Sequence, residues 1–285
     1  MRRSAFLAVL AGLVLVSAPA RAGSKGTLKL LSSGSGHKQQ LRLRLSPGQV
    51  GTMKVVLDMG MEVMGVRQSI PQIIQTMRIR VVKIMPNGDI KIRFELVSAK
   101  LGATSGSQQA VVAAMKSALA GMRGYAGIAI MDTRGRMNYI KSHIPAGVTP
   151  QVRQSLQSVE RAMRNVSPPF PRQPVGHGAR WSYTLTLTRS GIRLTQVVTY
   201  RLRSIRGDHI SLGMTLRQSA PSQTMSQGGM SVKLLGMHGS GSGSVTMSLS
   251  KLVPTASSSY SSELSISAGS RNMRLKSHVR IKMSP

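Results

Sequence analysis

No cysteine occurs in the 285 residues. Disulfides, thiolate metal sites and thiol nucleophiles are therefore excluded, and the fold must be held by its core. The length is enough for one large domain or for two halves sharing a core. Aromatic residues make up only 3%, too few for the base-stacking platforms of single-strand nucleic-acid binders. Specific nucleic-acid recognition is not expected. Acids are scarce as well: 8 Asp and Glu stand against 39 Lys and Arg, a net charge of +31. Long apolar runs are missing. The only sizeable one, Phe6 to Val16, falls short of the ~20 residues a membrane span needs, so no transmembrane anchor is expected.

Catalytic signatures are missing too. There is no Gly-x-Ser-x-Gly elbow, no His-Glu-x-x-His and no Walker sequence. The eight acids are spread along the chain, and the six histidines have no ligand spacing. Met59, Met61 and Met64 with Glu62 have the softness for copper(I), but methionine more often fills a core. No metal, no cofactor and no enzymatic activity are expected. Trp181 reads as a core anchor, and Gly239 to Gly243 as a flexible turn or bulge entering a strand.

What is present begins with a tripartite N-terminus. Arg2 and Arg3 precede the apolar run, and Ala20-Arg21-Ala22 offers a small-x-small cleavage site. Residues 1–22 read as a signal peptide, which implies export to a periplasmic or extracellular location. The Arg2-Arg3 pair leaves the twin-arginine route open beside the ordinary secretory one. Residues 23–40 read as a flexible leader.

Period-two alternation dominates the rest. Leu41 to Leu45, Met77 to Val81, Asp89 to Leu96, Trp181 to Thr188 and Met273 to Met283 each separate apolar from polar positions. That pattern marks antiparallel strands with one buried and one wet face. Two segments have helical spacing instead. Val111, Met115, Leu119 and Met122 predict a helix over about 107–122. Val152, Leu156, Val159, Met163 and Val166 predict another, capped by Thr149-Pro150 and ended by Pro168-Pro169.

The chain also repeats a motif order. Gly88-Asp89 before Ile90 to Leu96 matches Gly207-Asp208 before Ile210 to Leu216, each after a basic alternating strand. Two half-repeats follow, 41–146 and 170–285, with a helical linker at 147–169. The expected fold is mainly β: a duplicated antiparallel curved sheet or incomplete barrel with two amphipathic helices packed on it.

These turns, with Asp132 to Arg136, the Phe170-Pro171 entry to Trp181 and the Gly239 to Gly243 run, resemble a domain-of-unknown-function family of secreted bacterial β proteins with two half-repeats. In outline the chain is also similar to the curved-sheet lipoprotein carriers of the bacterial envelope. The first resemblance carries no established activity. The second implies architecture only.

Alternation further places Arg42, Arg44, Arg78, Arg80, Lys91, Arg93, Arg201, Arg203, Arg274, Lys276, Arg280 and Lys282 on wet strand faces. Arg78, Arg80, Lys91, Arg93, Arg201, Arg203, Arg274, Lys276, Arg280 and Lys282 are the candidate anion-binding set. The expected partner is an anionic lipid, lipopolysaccharide or another polyanion. The sheet is expected to supply an apolar concavity lined by Met and Leu. The alternative is a structural or assembly protein that docks through the basic face.

Overall fold

The structure, a computed structural model, describes residues 26–103, 106–149, 152–153, 156–157, 160, 169–189, 192–227, 230–268 and 271–285. The expected signal peptide lies outside these residues.

In chain order the elements are β1 (Thr27–Ser32), β2 (Ser35–Gln39), β3 (Val50–Val63), β4 (Val66–Ile84), β5 (Ile90–Leu101), α1 (Gln109–Ala120), β6 (Ala126–Met131) and β7 (Met137–His143). There follow β8 (Val175–His177), β9 (Arg180–Arg189), β10 (Ile192–Arg206), β11 (His209–Ala220), β12 (Gln223–Gln227), β13 (Met230–Ser248), β14 (Thr255–Ala268) and β15 (Arg271–Ser284). One large antiparallel sheet runs β1-β9-β10-β11-β13-β14-β15-β3-β4-β5-β6-β7, with β12 beside β13. The end strands β1 and β7 do not pair with each other, so the sheet is not closed. A small second sheet joins β2 to β8. Among the described residues no helix is long and apolar enough to cross a membrane.

Alternation fixes the two faces. On β10, Ile192, Leu194, Val198, Tyr200 and Leu202 are buried, while Arg193, Thr195 and Arg201 between them are exposed. The buried face carries two apolar clusters. One holds Met77, Phe94, Trp181, Leu202 and Leu212. The other, toward the opposite strand ends, holds Met61, Leu194, Leu234, Ile266 and Leu275. Polar side chains bond to one another on the same face between them. Gln218 donates to Gln196, Tyr260 donates to Gln218 Oε1 at 2.6 Å, and Ser262 and Ser277 hydroxyls meet at 2.7 Å.

Several expectations change here. From Thr27 on, the expected 23–40 leader is ordered: Leu28 and Leu30 pack on the first cluster, and β1 pairs with β9 through Trp181 and Tyr183. The order comes from apolar side chains that alternate too briefly to read as a strand. Leu41, Leu43 and Leu45 are buried as their alternation implies, but the segment belongs to no sheet. Its backbone is instead tied singly to two separate places, Leu43 N to Thr133 O and Arg44 N to Leu249 O.

The Gly239 to Gly243 run lies inside β13 rather than in a turn. A Cβ on Gly239 would clash with the hydroxyl end of the Tyr260 ring, 2.6 Å from Cζ, and one on Gly241 would meet Ser259 O at 2.5 Å. Glycine here makes room for a cross-strand neighbour.

One helix, not two, is established among the described residues. α1 spans Gln109–Ala120, close to the expected 107–122, and contacts β5. Only its C-terminal end is seated: Leu119 and the following Met122 are buried, whereas Val111 is exposed. Much of 147–169 lies outside the described residues, including Val159, Met163 and Val166. Val152 and Leu156 are described, and both are buried.

Both Gly-Asp dipeptides sit in hairpin turns, Gly88-Asp89 between β4 and β5 and Gly207-Asp208 between β10 and β11. Gly88 has φ 83° and Gly207 φ 60°, the left-handed region that such turns assign to glycine. Asp208 accepts from Ser248 Oγ at 2.5 Å and from Ser250 Oγ, and its Oδ1 lies 2.7 Å from His209 Nδ1. The Ser248 and Ser250 hydroxyls, and then His209, hold its pKa down from 3.8 to about 2. A depressed carboxylate stabilises the fold above its unfolded pKa and loses that contribution as pH falls through the folded value. Thermal melts between about pH 5 and pH 2 should therefore show acid destabilisation that Asp208→Asn reduces. Equal acid sensitivity in both proteins would contradict this role.

Candidate functional site: the basic face of the sheet

The face opposite the apolar clusters gathers the candidate residues. Arg78 and Arg80 lie on β4, Lys91 and Arg93 on β5, Arg201 and Arg203 on β10, and Arg274, Lys276, Arg280 and Lys282 on β15. Lys91 is half-buried and the other nine are exposed. Strand pairing joins the groups. Lys282 pairs with Val56 of β3. Two positions along β3 on the same face stands Lys54, and two further on is Thr52, the partner of Arg78.

Cross-strand register decides which charges are compensated. Glu263 Oε1 meets Arg274 Nε at 3.0 Å. Glu62 is shared between Lys276 at 3.3 Å and Arg67 at 3.6 Å. Arg274 and Lys276 are thus neutralised. Elsewhere like charges face each other directly: Arg80 opposite Arg93, Lys83 opposite Lys91 and Arg180 opposite Arg201. Directly opposed like charges destabilise a sheet, and among the described residues none of these six forms an ion pair, although Glu95 stands opposite Arg78 in register.

Arg42 leaves the face altogether. Its guanidinium donates to the carbonyls of Leu41, Pro171 and Arg172 at 2.8–3.2 Å. Burial, with Arg134 nearby, lowers its pKa. It ties the Leu41 segment to the Pro171 connector and is structural.

Two adjoining grooves indent the basic face. One, of about 1510 Å³, runs over β10, β11, β13, β14, β15 and the β3–β4 hairpin, with Arg217, His238, Glu263 and Lys276 in its lining. Ser261 Oγ and His278 Nδ1 lie 2.9 Å apart in it. A nucleophile–base pair needs a third group to orient the base. Glu62 and Glu263, the carboxylates of this groove, are instead held by Arg67, Lys276 and Arg274.

The second groove, of about 930 Å³, is lined by Arg180, Arg201, Arg203 and Arg280 with Ser242, Ser244, Ser257 and Ser259, and by no acidic residue. The second lining is mainly Arg and Ser, whereas the first exposes more apolar than polar surface and has Met61, Val197 and Leu216 in it. The small Gly and Ser side chains of β13 and β14 leave the floor low, and the arginines of β9, β10 and β15 stand around it.

Arg180, Arg217 and Lys54 are not in the candidate set that the sequence suggests. A signal for each exists in the alternation: Arg180 is in phase with Ser182 and Thr184, Arg217 with Thr215, and Lys54 with Thr52. Met59 and Met61 point into the buried face, while Glu62 points to the basic face and Met64 sits exposed in the hairpin turn. The fold therefore does not assemble the conceivable copper group. Among the described residues no cluster of three or more His, Cys, Asp or Glu has metal-binding spacing.

No protein-family model matches the chain, and no curated protein matches it either.

Proposed function

We propose that the chain is an exported, non-enzymatic envelope protein that binds anionic ligands on the basic face of its sheet, an anionic lipid or lipopolysaccharide among them. One observation carries this reading. Apart from the two pairs at Arg274 and Lys276, the candidate cations have no ion-pair partner among the described residues, and Arg80–Arg93 and Arg180–Arg201 oppose like charges. A bound polyanion would relieve that repulsion and so stabilise the fold on binding.

The same reading includes the duplication. β3–β4–β5 and β9–β10–β11 are both three-strand meanders with a Gly-Asp dipeptide at the second turn, as two halves built on one plan would have.

The test is a quadruple variant, Arg78→Gln, Arg80→Gln, Lys91→Gln and Arg93→Gln. Among the described residues these positions make no ion pair, so the thermal midpoint should stay equal or rise. Binding to heparin or to anionic vesicles should weaken about tenfold, as lost Coulomb attraction implies. A folded variant that binds as tightly as the parent would place the ligand elsewhere.

A further inference from the structure

The second groove has features that a diffuse basic surface lacks. Four arginines from three strands line it, and no carboxylate does. None of the four forms an ion pair among the described residues. Asp58 lies opposite Arg280 in register, yet it makes no ion pair with it. Arg180 and Arg201 are direct cross-strand neighbours.

Arg203 sits at a bulge, where the register shifts between Leu202 and Ser204. Its guanidinium lies flat on Gly213. A Cβ at Gly213 would come within 2.6 Å of Arg203 Nε and 2.9 Å of one terminal nitrogen. The bulge and the glycine together let the guanidinium rest over Gly213 while the side chain stays exposed. A merely solvated arginine needs no such seat.

We propose that this groove is a discrete site for a ligand carrying two or more phosphate groups, a deepening that rests on the anion-binding reading above. Guanidinium forks match phosphate oxygens two at a time. Four of them exceed what one phosphate dianion can neutralise, and they suit a ligand with at least two such groups. The groove volume of about 930 Å³ lies within the range of small-molecule sites. Serine hydroxyls on the floor can donate to oxygens that the arginines leave free.

The experiment is isothermal titration of the purified full chain with sodium tripolyphosphate, with orthophosphate as control and heparin affinity measured alongside. The expected result is one saturable site that prefers tripolyphosphate to orthophosphate by tenfold or more. Arg201→Gln with Arg280→Gln should weaken it at least tenfold. Gly213→Ala, which displaces Arg203 at the flexible end of its side chain, should weaken it severalfold and leave the thermal midpoint within a few degrees. The quadruple variant at Arg78, Arg80, Lys91 and Arg93 should keep tripolyphosphate affinity within about twofold while losing heparin affinity.

Competition by vesicles of phosphatidylcholine with cardiolipin assigns the source. Displacement of tripolyphosphate points to a lipid headgroup, and no displacement points to a soluble phosphate ester. Heparin binding without a tripolyphosphate site would overturn the groove and leave the broader reading standing. Loss of both would overturn both. Equal affinity for orthophosphate, or equal weakening by the two sets of variants, would show a general basic field and no discrete site.

Discussion

Trp181→Ala is expected to destabilise the protein by about 3–5 kcal/mol, the range for emptying a large aromatic site in a packed core. Trp181 is fully buried. Its ring stacks on Tyr200 with centroids 5.7 Å apart and planes at 25°. It pairs with Leu30 of β1 on one side and Tyr200 of β10 on the other, so its loss loosens the attachment of an edge strand as well as the core. Its indole Nε1 is buried with no hydrogen-bond partner among the described residues. An unmet buried donor carries a penalty of about 1–3 kcal/mol, and Trp181→Phe removes that donor while keeping most of the ring. The phenylalanine variant should therefore cost less than half as much as the alanine variant in urea unfolding. Equal losses would mean that the indole N–H has a partner or that the site collapses in both.

Gly239→Val is expected to destabilise the protein by about 3 kcal/mol. Any Cβ at 239 overlaps the Tyr260 ring, and overpacking of this kind costs about 1–3 kcal/mol. The displaced ring also gives up the 2.6 Å bond from Tyr260 to Gln218, worth about 1 kcal/mol. The cause can be isolated with a double-mutant cycle. In a Tyr260→Ala background the valine has room, and its cost should fall by at least about 1.5 kcal/mol. The same cost in both backgrounds would place the strain in the strand backbone and not against the ring.

These two positions show where sequence reading succeeds and where it stops. Trp181 begins a strand whose apolar and hydroxyl positions separate, so its burial follows from local period alone. Gly239 lies in a run that reads as a turn, because what it accommodates comes from Tyr260, 21 positions away on another strand. Long-range pairing supplies the reason, and periodicity carries no record of it. The Leu41 to Leu45 segment shows the converse. Alternation correctly marks its leucines as buried, but burial on one side does not require a sheet partner, and this segment has none. The hairpins at Gly88-Asp89 and Gly207-Asp208 are legible because turn chemistry is local. The β1 strand is not, because its six residues are ordered by the exposed edge of β9.

The candidate site divides in the same way. Alternation places Arg78, Arg80, Lys91, Arg93, Arg201, Arg203, Arg274, Lys276, Arg280 and Lys282 on polar strand faces. Which of these cations are compensated depends on register. Glu62 reaches Lys276 only because β15 lies beside β3, a neighbour relation between the last strand and an early one. The four-arginine groove needs β9, β10 and β15 together, so Arg180 enters it without any motif of its own.

The central claim is that the basic face is a binding surface for anions and not only a solvated one. Its most direct measurement is the affinity of the full chain for heparin across a salt series. Coulomb attraction between exposed charges is screened over about 10 Å at 0.1 M salt and over about 3 Å at 1 M. The dissociation constant should rise at least tenfold between about 0.05 and 0.5 M sodium chloride, and the rise should be shallower in the quadruple glutamine variant. An affinity that does not change with salt, or no measurable binding at the lowest salt, would contradict the account.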